Sequence, residues 1–187
     1  MTTPVTVRPA AGDDVPALAR VAEATFALAC PPSMTPERIE RFVSEVLSPE
    51  RFHAYLADPA RAVLLAEGDE PLGYAMLVHG EPTDEDVRAA VTARPTVELS
   101  KIYVLPAAHG TGAAGALMAA GLAWAAGRGA AGVWLGVNQQ NARAQRFYAK
   151  SGFAVVGTKQ FDVGGRLEDD FVMEQRLERR PDGATSD

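Results

Sequence analysis

The stretch Val97–Gly115, VELSKIYVLPAAHGTGAAG, decides the fold of this chain. Its first part, Val97–Leu105, is rich in β-branched and aromatic side chains and predicts a strand. After Pro106 the chain passes through a glycine-rich turn, and a helix rich in alanine and leucine follows to about Arg128. A strand, a glycine turn and a helix are typical of a phosphate-binding site, because the free amides and the dipole of the first helical turn both favour anions.

The glycine spacing GxGxxG over residues 110–115 also matches the dinucleotide-binding fingerprint, which is weak when it stands alone. In that fold the turn directly follows an early strand, and the next strand ends in an acid. Here Pro106–His109 separates the strand from the turn, the turn lies past mid-chain, and the next strand ends in Val137-Asn138. These features disfavour a dinucleotide site. Taken alone, the turn is equally compatible with glycines that only shape the backbone.

Length and composition predict one domain over residues 1–178 and a polar, flexible tail at 179–187. Apolar residues make up 47 % of the 187 residues, which is enough for a core without disulfides or metal. The net charge of −6 disfavours a nucleic-acid partner, because neutralising phosphates needs a basic face. The chain shows neither a signal peptide nor an apolar run long enough to span a membrane. We therefore expect a cytoplasmic protein that binds neither nucleic acid nor membrane.

The order of periodic segments predicts a mixed α/β domain, with parallel pairing where a helix crosses between strands. The predicted strands cover residues 5–8, 62–67, 72–78, 97–105, 133–137, 153–159 and 170–177. The predicted helices cover residues 13–30, 35–47, 48–56, 112–128 and 141–150. Residues 80–95 are polar and predict a loop with at most one helical turn.

The segment Asn141–Phe153, NARAQRFYAKSGF, completes the pattern that the glycine turn begins. Together they resemble the GNAT superfamily of N-acetyltransferases. Its central motif, a Tyr-Val-x-Pro strand end and then Arg/Gln-x-x-Gly-x-Gly/Ala, corresponds to residues 103–106 and 109–114 here. Its second motif, Asn-x-x-Ala-x-x-Phe/Leu-Tyr-x-Lys-x-Gly-Phe, is matched completely. The resemblance covers most of the chain from about residue 62, and His109 departs from the usual Arg or Gln.

The resemblance implies a three-layer α/β fold with helices on both faces of a mixed, largely antiparallel sheet of six to seven strands. Acetyl-CoA would lie between two splayed parallel strands. Ile102 and Val104 would pair with the pantetheine arm, and the Val104 amide would polarise the thioester carbonyl. Asn141 would bond the pantetheine, and the amides of 110–115 would hold the pyrophosphate. The implied cofactor-binding residues are Ile102, Tyr103, Val104, His109, Gly110, Thr111, Gly112, Ala113, Ala114, Gly115, Asn141, Ala144, Phe147 and Tyr148.

Tyr148 is the predicted general acid, which would protonate the departing thiolate. A phenol with a pKa of about 10 is well matched to a thiol with a pKa of about 8.5 once the thiolate forms nearby. The alternative interpretation is a core aromatic side chain at the end of a helix.

Glu98 is the first candidate base for the acceptor amine, acting directly or through a water. It lies within an apolar run and shares strand parity with Ile102 and Val104. An exposed or ion-paired glutamate is an equal alternative. His79 is the second candidate base, since neutral imidazole titrates near pH 7, and His53 is interpreted as structural.

The predicted activity is acetyl transfer from acetyl-CoA to a primary amine, and the alternative is a non-catalytic acyl-CoA-binding or regulatory module. A metabolite amine, a peptide N-terminus, a lysine side chain and an antibiotic all remain open as acceptors. Three scattered histidines and the single cysteine, Cys30, predict no metal site. A homodimer is compatible with the resemblance, although no feature of the sequence demonstrates one.

Overall fold

One seven-stranded sheet organises the chain, which this computed structural model describes over residues 4–163 and 165–178. The predicted tail at 179–187 lies outside the described residues. The strands are β1 (Thr6–Pro9), β2 (Arg61–Glu67), β3 (Pro71–His79), β4 (Thr96–Val104), β5 (Gly132–Asn138), β6 (Ala154–Val163) and β7 (Arg166–Arg176). The helices are α1 (Val15–Ala29), α2 (Pro36–Val46), α3 (Pro49–Ala57), α4 (Glu85–Ala90), α5 (Ala113–Gly127) and α6 (Ala142–Lys150). All seven predicted strands are present, and α4 is the helical turn predicted within the polar loop.

β4 and β5 are the one parallel pair among the described strands, whose order is β1-β2-β3-β4-β5-β7-β6. They pair only over Thr96–Glu98 and Gly132–Trp134. Beyond those residues β4 continues to Val104 along β3, while β5 continues to Asn138 along β7. A gap therefore opens in the middle of the sheet, between two strands that are each paired on their other side.

Helices cover both faces of the sheet, as the resemblance implies. One face packs against α5 and α6 around a core that includes Leu77, Leu117 and Leu135. The other face packs against α1, α2 and α3 around a core that includes Leu18 and Phe52. We call these the α5 face and the α1 face. The two cores hold β4 and β5 from both sides and so fix the position of the gap.

A β-bulge in β4 changes which side chains share a face. Met76 of β3 pairs with Lys101, while the next residue, Leu77, pairs with Leu99. Ser100 is therefore an extra residue in β4, opposite no residue of β3. Because side chains alternate with a period of two, those after the bulge alternate in the opposite phase from those before it.

Tyr74 of β3 has a buried hydroxyl with no hydrogen-bond partner among the described residues. Its ring packs edge-on against Phe52, with the centroids 5.5 Å apart. A buried hydroxyl without a partner costs about 1–3 kcal/mol. We therefore expect Tyr74→Phe to raise the free energy of unfolding by about 1 kcal/mol, measured by urea denaturation. A lower free energy of unfolding would show that the hydroxyl has a partner in solution.

Candidate active site

The gap between β4 and β5 opens into a cavity of about 700 Å³ that reaches both faces of the sheet. An adjoining cavity of about 350 Å³ lies at the turn before α5. The predicted site residues that line the larger cavity are Glu98, Ile102, Tyr103, Val104, His109, Ala114, Asn141, Ala144, Phe147 and Tyr148. Those that line the smaller one are Val104, His109, Gly110, Gly112, Ala113, Ala114 and Gly115. Two motifs that lie far apart along the chain thus meet at one place.

The free edge of β4 presents backbone groups to the gap. The amide of Leu105 donates to the carbonyl of Leu72 at 2.8 Å, so these two residues form a bonded pair of the antiparallel ladder. Bonded and non-bonded pairs alternate along such a ladder. The backbone groups of Ile102 and Val104 consequently point away from β3 and into the gap, where an extended ligand could pair with them.

The turn before α5 presents free amides at the mouth of the gap. Gly110 and Gly112 have φ of 82° and 89°, a left-handed conformation that glycine adopts without strain. Among the described residues, no acceptor is found for the amides of Gly110, Gly112, Ala114 and Gly115. These amides belong to or precede the first turn of a helix, which supplies no partner for them, and the helix dipole adds a positive potential. The arrangement can hold an anion such as a pyrophosphate.

Arg143 of α6 brings a cation to this turn, and the sequence motifs did not indicate it. Its Nη2 lies 2.9 Å from Nδ1 of His109. Because the guanidinium can only donate, Nδ1 must accept, and the neutral His109 ring carries its proton on Nε2. Arg143 lines both cavities. The positive charge absent at the first position of the glycine motif is thus supplied from α6.

Asn141 is the N-cap of α6. Its Oδ1 accepts a hydrogen bond from the amide of Ala144 at 3.1 Å, which satisfies one of the free donors of the first turn. The side-chain oxygen is thereby occupied, so a bond to a ligand in the gap would come from the side-chain NH₂. Asn141 therefore has a structural role at the start of α6, and the binding role expected of it stays a prediction.

Tyr148 lies on α6 at the edge of the gap, half-buried between two aromatic rings. The ring centroids of Phe147 and Phe153 are 5.6 and 6.1 Å from its own. Burial raises the pKa of Tyr148 to about 12, so the phenol is protonated at neutral pH. A protonated phenol that lines the cavity can donate a proton to a ligand there.

Glu98 lines the cavity, but the prediction that it shares a face of β4 with Ile102 and Val104 is wrong. Leu99 and Ile102 both belong to the α5 face, since the bulge resets the alternation between them. Glu98 consequently lies on the opposite face from Ile102, together with Lys101, whose Nζ is 6.0 Å from the ring centroid of Phe42. Burial raises the pKa of the Glu98 carboxyl, and the nearby lysines partly offset this.

Lys101, Lys159 and Asp170 join Glu98 on the α1 face of the cavity, and none of them was predicted. Burial lowers the pKa of Lys101 to about 8 and raises the pKa of Asp170 to about 6. A Cβ placed on Gly136 would lie 2.7 Å from Lys159 Cε and 3.2 Å from Asp170 Oδ2, so both side chains lie over this glycine. The only feature of the sequence that could have indicated these three residues is that each is a charged residue within a strand: β4, β6 and β7.

The model of the acetyltransferase (GNAT) family matches residues 27–153, more than half of the chain. The chain belongs to the GNAT acetyltransferase family. Uncharacterized N-acetyltransferases of Mycobacterium tuberculosis and Mycobacterium bovis are each 53 % identical to it over 165 residues, 88 % of this chain and 98 % of the relative.

Solved N-acetyltransferase structures show the same fold. The PaiA N-acetyltransferase of Thermoplasma acidophilum, crystallised in complex with coenzyme A, is 21 % identical, with a TM-score of 0.73 over 92 % of this chain and 99 % of that one. A ribosomal-protein-alanine N-acetyltransferase of Brucella melitensis is 24 % identical, with a TM-score of 0.69 over the same shares. The mixed sheet with one parallel pair is therefore confirmed as a GNAT fold.

Some predicted residues lie outside the cavities of this GNAT domain. His79 and His53 line neither cavity, so the geometry does not support His79 as a base. The Thr111 hydroxyl donates to the carbonyl of Ala108 at 2.7 Å and stabilises the glycine turn from within. Within residues 4–163 and 165–178, no cluster of three His, Cys, Asp or Glu side chains could hold a metal ion.

None of the helices in the described part of the chain is both long and apolar enough to cross a membrane.

Proposed function

We propose that this GNAT family member is an acetyl-CoA-dependent N-acetyltransferase that transfers the acetyl group directly to a primary amine. The observation that carries the proposal is the gap between β4 and β5. Free backbone groups line one side of it, free amides stand at its mouth, and the Tyr148 phenol lies beside it.

Binding of acetyl-CoA would use mostly backbone groups of this chain. Ile102 and Val104 would pair with the pantetheine arm as an added strand does, and the Asn141 NH₂ would donate to it. The amides of 110–115 would hold the pyrophosphate, with Arg143 as the nearby cation. Backbone donors explain why His109 can replace the usual Arg or Gln of the motif.

The chemistry would need one base and one acid. Glu98, directly or through a water, would take the proton of the acceptor ammonium. The amine nitrogen would then attack the thioester carbonyl carbon while the Val104 amide stabilises the developing oxyanion. When the C–S bond breaks, Tyr148 would donate its proton to the sulfur, and the nitrogen would release its second proton to water, which leaves the neutral amide. Glu98 would then give its proton to water, and Tyr148 would take one from water.

Cys30 favours direct transfer over a cysteine-bound acetyl intermediate. The residue lines the cavity, but burial and the charge of Glu168 raise the pKa of its thiol to about 11. A thiol is a poor nucleophile compared with its thiolate. A protonated Cys30 thiol would not attack the thioester, so the acetyl group would pass from the thioester to the amine in one step.

The decisive experiment combines binding and turnover. Calorimetry should show that the protein binds acetyl-CoA and CoA, and a thiol-release assay over an amine library should show turnover with some of its members. Binding without thiol release for any amine would instead support the non-catalytic acyl-CoA-binding module. Absence of binding to either coenzyme would reject the proposal altogether.

Arg143→Gln is expected to weaken CoA binding about 3- to 10-fold, because a charge-assisted hydrogen bond at a half-open site is lost. The loss should shrink as salt is added, since ions screen the exposed guanidinium. The measurement is the Kd of CoA by calorimetry at two salt concentrations. Arg146→Gln, an exposed arginine on the same helix that lines neither cavity, is the control. Equal Kd values for both variants would remove Arg143 from the binding site.

A further inference from the structure

Two ammonium groups stand in the α1-face half of the cavity, where the acceptor would enter. Lys101 Nζ lies 6.0 Å from the ring centroid of Phe42, and Lys159 Nζ lies 4.9 Å from that of Phe161. Within the described part of the chain, neither lysine has a carboxylate oxygen within 4.0 Å. The two ammonium groups are close enough to repel each other. Glu98 and Asp170 lower the cost of burying these charges at longer range, and an anion held directly between the two lysines would lower it further.

Carboxylates in the same half of the cavity are also without a direct partner. The Asp170 carboxylate forms no hydrogen bond or ion pair among the described residues, whereas the carboxylate of the neighbouring Glu168 lies 2.9 Å from the Arg166 guanidinium. The Asp170 carboxylate and the Lys159 ammonium lie over Gly136, on the side of the gap. This half of the cavity therefore offers unpaired charges of both signs.

Charges of both signs in this half of the cavity argue for an acceptor that carries both signs. A simple amine arrives as a cation, which the Glu98 and Asp170 carboxylates would attract and the two lysines would repel, so it would leave the lysines without an anion. An acceptor that also carries an anion turns this repulsion into two charge-assisted hydrogen bonds. The lysines would then favour such an acceptor over a simple amine of the same shape.

Aromatic rings form the walls beside the lysines. Phe26 and Phe42 are stacked with centroids 4.4 Å apart, and Phe161 lies 6.1 Å from Phe42. Tyr103 lies 6.5 Å from Phe26 and completes the wall toward the gap. These rings present apolar surface to the body of the acceptor.

We propose that the acceptor is an amino acid with an apolar side chain. Its carboxylate would lie between Lys101 and Lys159, its side chain against the aromatic wall, and its amine toward Glu98 and the gap. The inference rests on the proposed acetyltransferase function and adds the chemical class of the acceptor to it.

The test compares matched acceptors on the full-length wild-type protein. Phenylalanine, phenylalaninamide and phenethylamine share a side chain, and only the first carries a carboxylate; leucine, leucinamide and isopentylamine form a second set. We expect kcat/KM for thiol release to be roughly 10- to 100-fold higher with the amino acid than with its amide or amine. The amide has the less basic amine, so intrinsic reactivity favours the amide and works against the expected order.

Lys101→Met and Lys159→Met should each remove most of that preference. Each keeps the length of the side chain and loses its charge, so kcat/KM should fall about 10-fold or more for the amino acid and stay level or rise for the amine. Lys150→Met, an exposed lysine near the end of α6, is the control. An unchanged Kd for CoA checks that each variant is folded.

Each outcome separates the two proposals. Equal rates for amino acid, amide and amine in the wild type would overturn the amino-acid inference and leave the acetyltransferase intact. Equal losses for all three acceptors in the lysine variants would also overturn it, because the lysines would then act on the amine and not on a carboxylate. If no acceptor releases thiol, calorimetry of the CoA-loaded protein with phenylalanine decides. Lysine-dependent binding there would support the inference although catalysis fails. No binding would overturn the amino-acid inference and leave the acetyltransferase proposal to the amine library.

Discussion

Tyr148→Phe should lower kcat for acetyl transfer about 100-fold or more and leave the Kd of CoA within about twofold. The substitution removes one hydroxyl and keeps a ring that packs between Phe147 and Phe153. The leaving thiolate would then have to take its proton from water in a site that excludes most of it. Burial raises the pKa of the phenol to about 12, but the same burial makes a thiolate formed beside it more basic.

The matched control is Tyr74→Phe, which removes a buried hydroxyl that does not line the cavity. Single-turnover kinetics should show the loss in the chemical step for Tyr148→Phe and an unchanged rate for the control. If Tyr148→Phe turns over as fast as the wild type, the ring is a packing residue of α6. That is the alternative interpretation that its sequence position also allowed.

The glycine turn and the start of α6 could be predicted because their backbone conformation depends on residues that are adjacent in the sequence. Gly110 and Gly112 are needed where φ is positive, and Asn141 caps the helix that it precedes. The resemblance to the GNAT motifs then placed the two segments in one binding site, which the residues of either segment alone do not indicate. The turn by itself also matched a dinucleotide fingerprint.

The acceptor side of the site could not be predicted in the same way. Lys101, Lys159 and Asp170 come from three strands, and only the register of the sheet brings them together. The bulge at Ser100 had no local signal, because its backbone is not left-handed and needs no glycine. It reversed the face expected for Glu98 relative to Ile102. The register between distant strands therefore determines which charged side chains share a face of the cavity, and counting alternate residues along one strand cannot predict this.

Glu98→Gln is the second substitution with a large expected effect. Burial raises the pKa of Glu98, and the carboxylate is the form that accepts a proton. The wild-type kcat/KM should therefore fall as the pH drops through that raised pKa, and the fall should disappear in the variant. At neutral pH we expect kcat to be lower by about 100-fold, as for loss of a general base. The charges that face Glu98 are Lys101, Lys159 and Arg61, and none of them changes in the variant.

Asp170→Asn is the comparison that gives the Glu98 result its meaning, because Asp170 is a second buried carboxyl in the same cavity. Its pKa is about 6, so its charged form destabilises the fold increasingly as the pH rises from about 4 through 6. The variant should therefore gain stability relative to the wild type at pH 8 but not at pH 4, by at most about 3 kcal/mol in thermal or urea unfolding.

If Glu98 is the base, Asp170→Asn keeps the acid limb of the rate profile and raises KM for the acceptor. If instead Asp170→Asn abolishes the acid limb while Glu98→Gln preserves it, the Asp170 carboxylate takes the proton of the amine, and the role proposed for Glu98 is wrong.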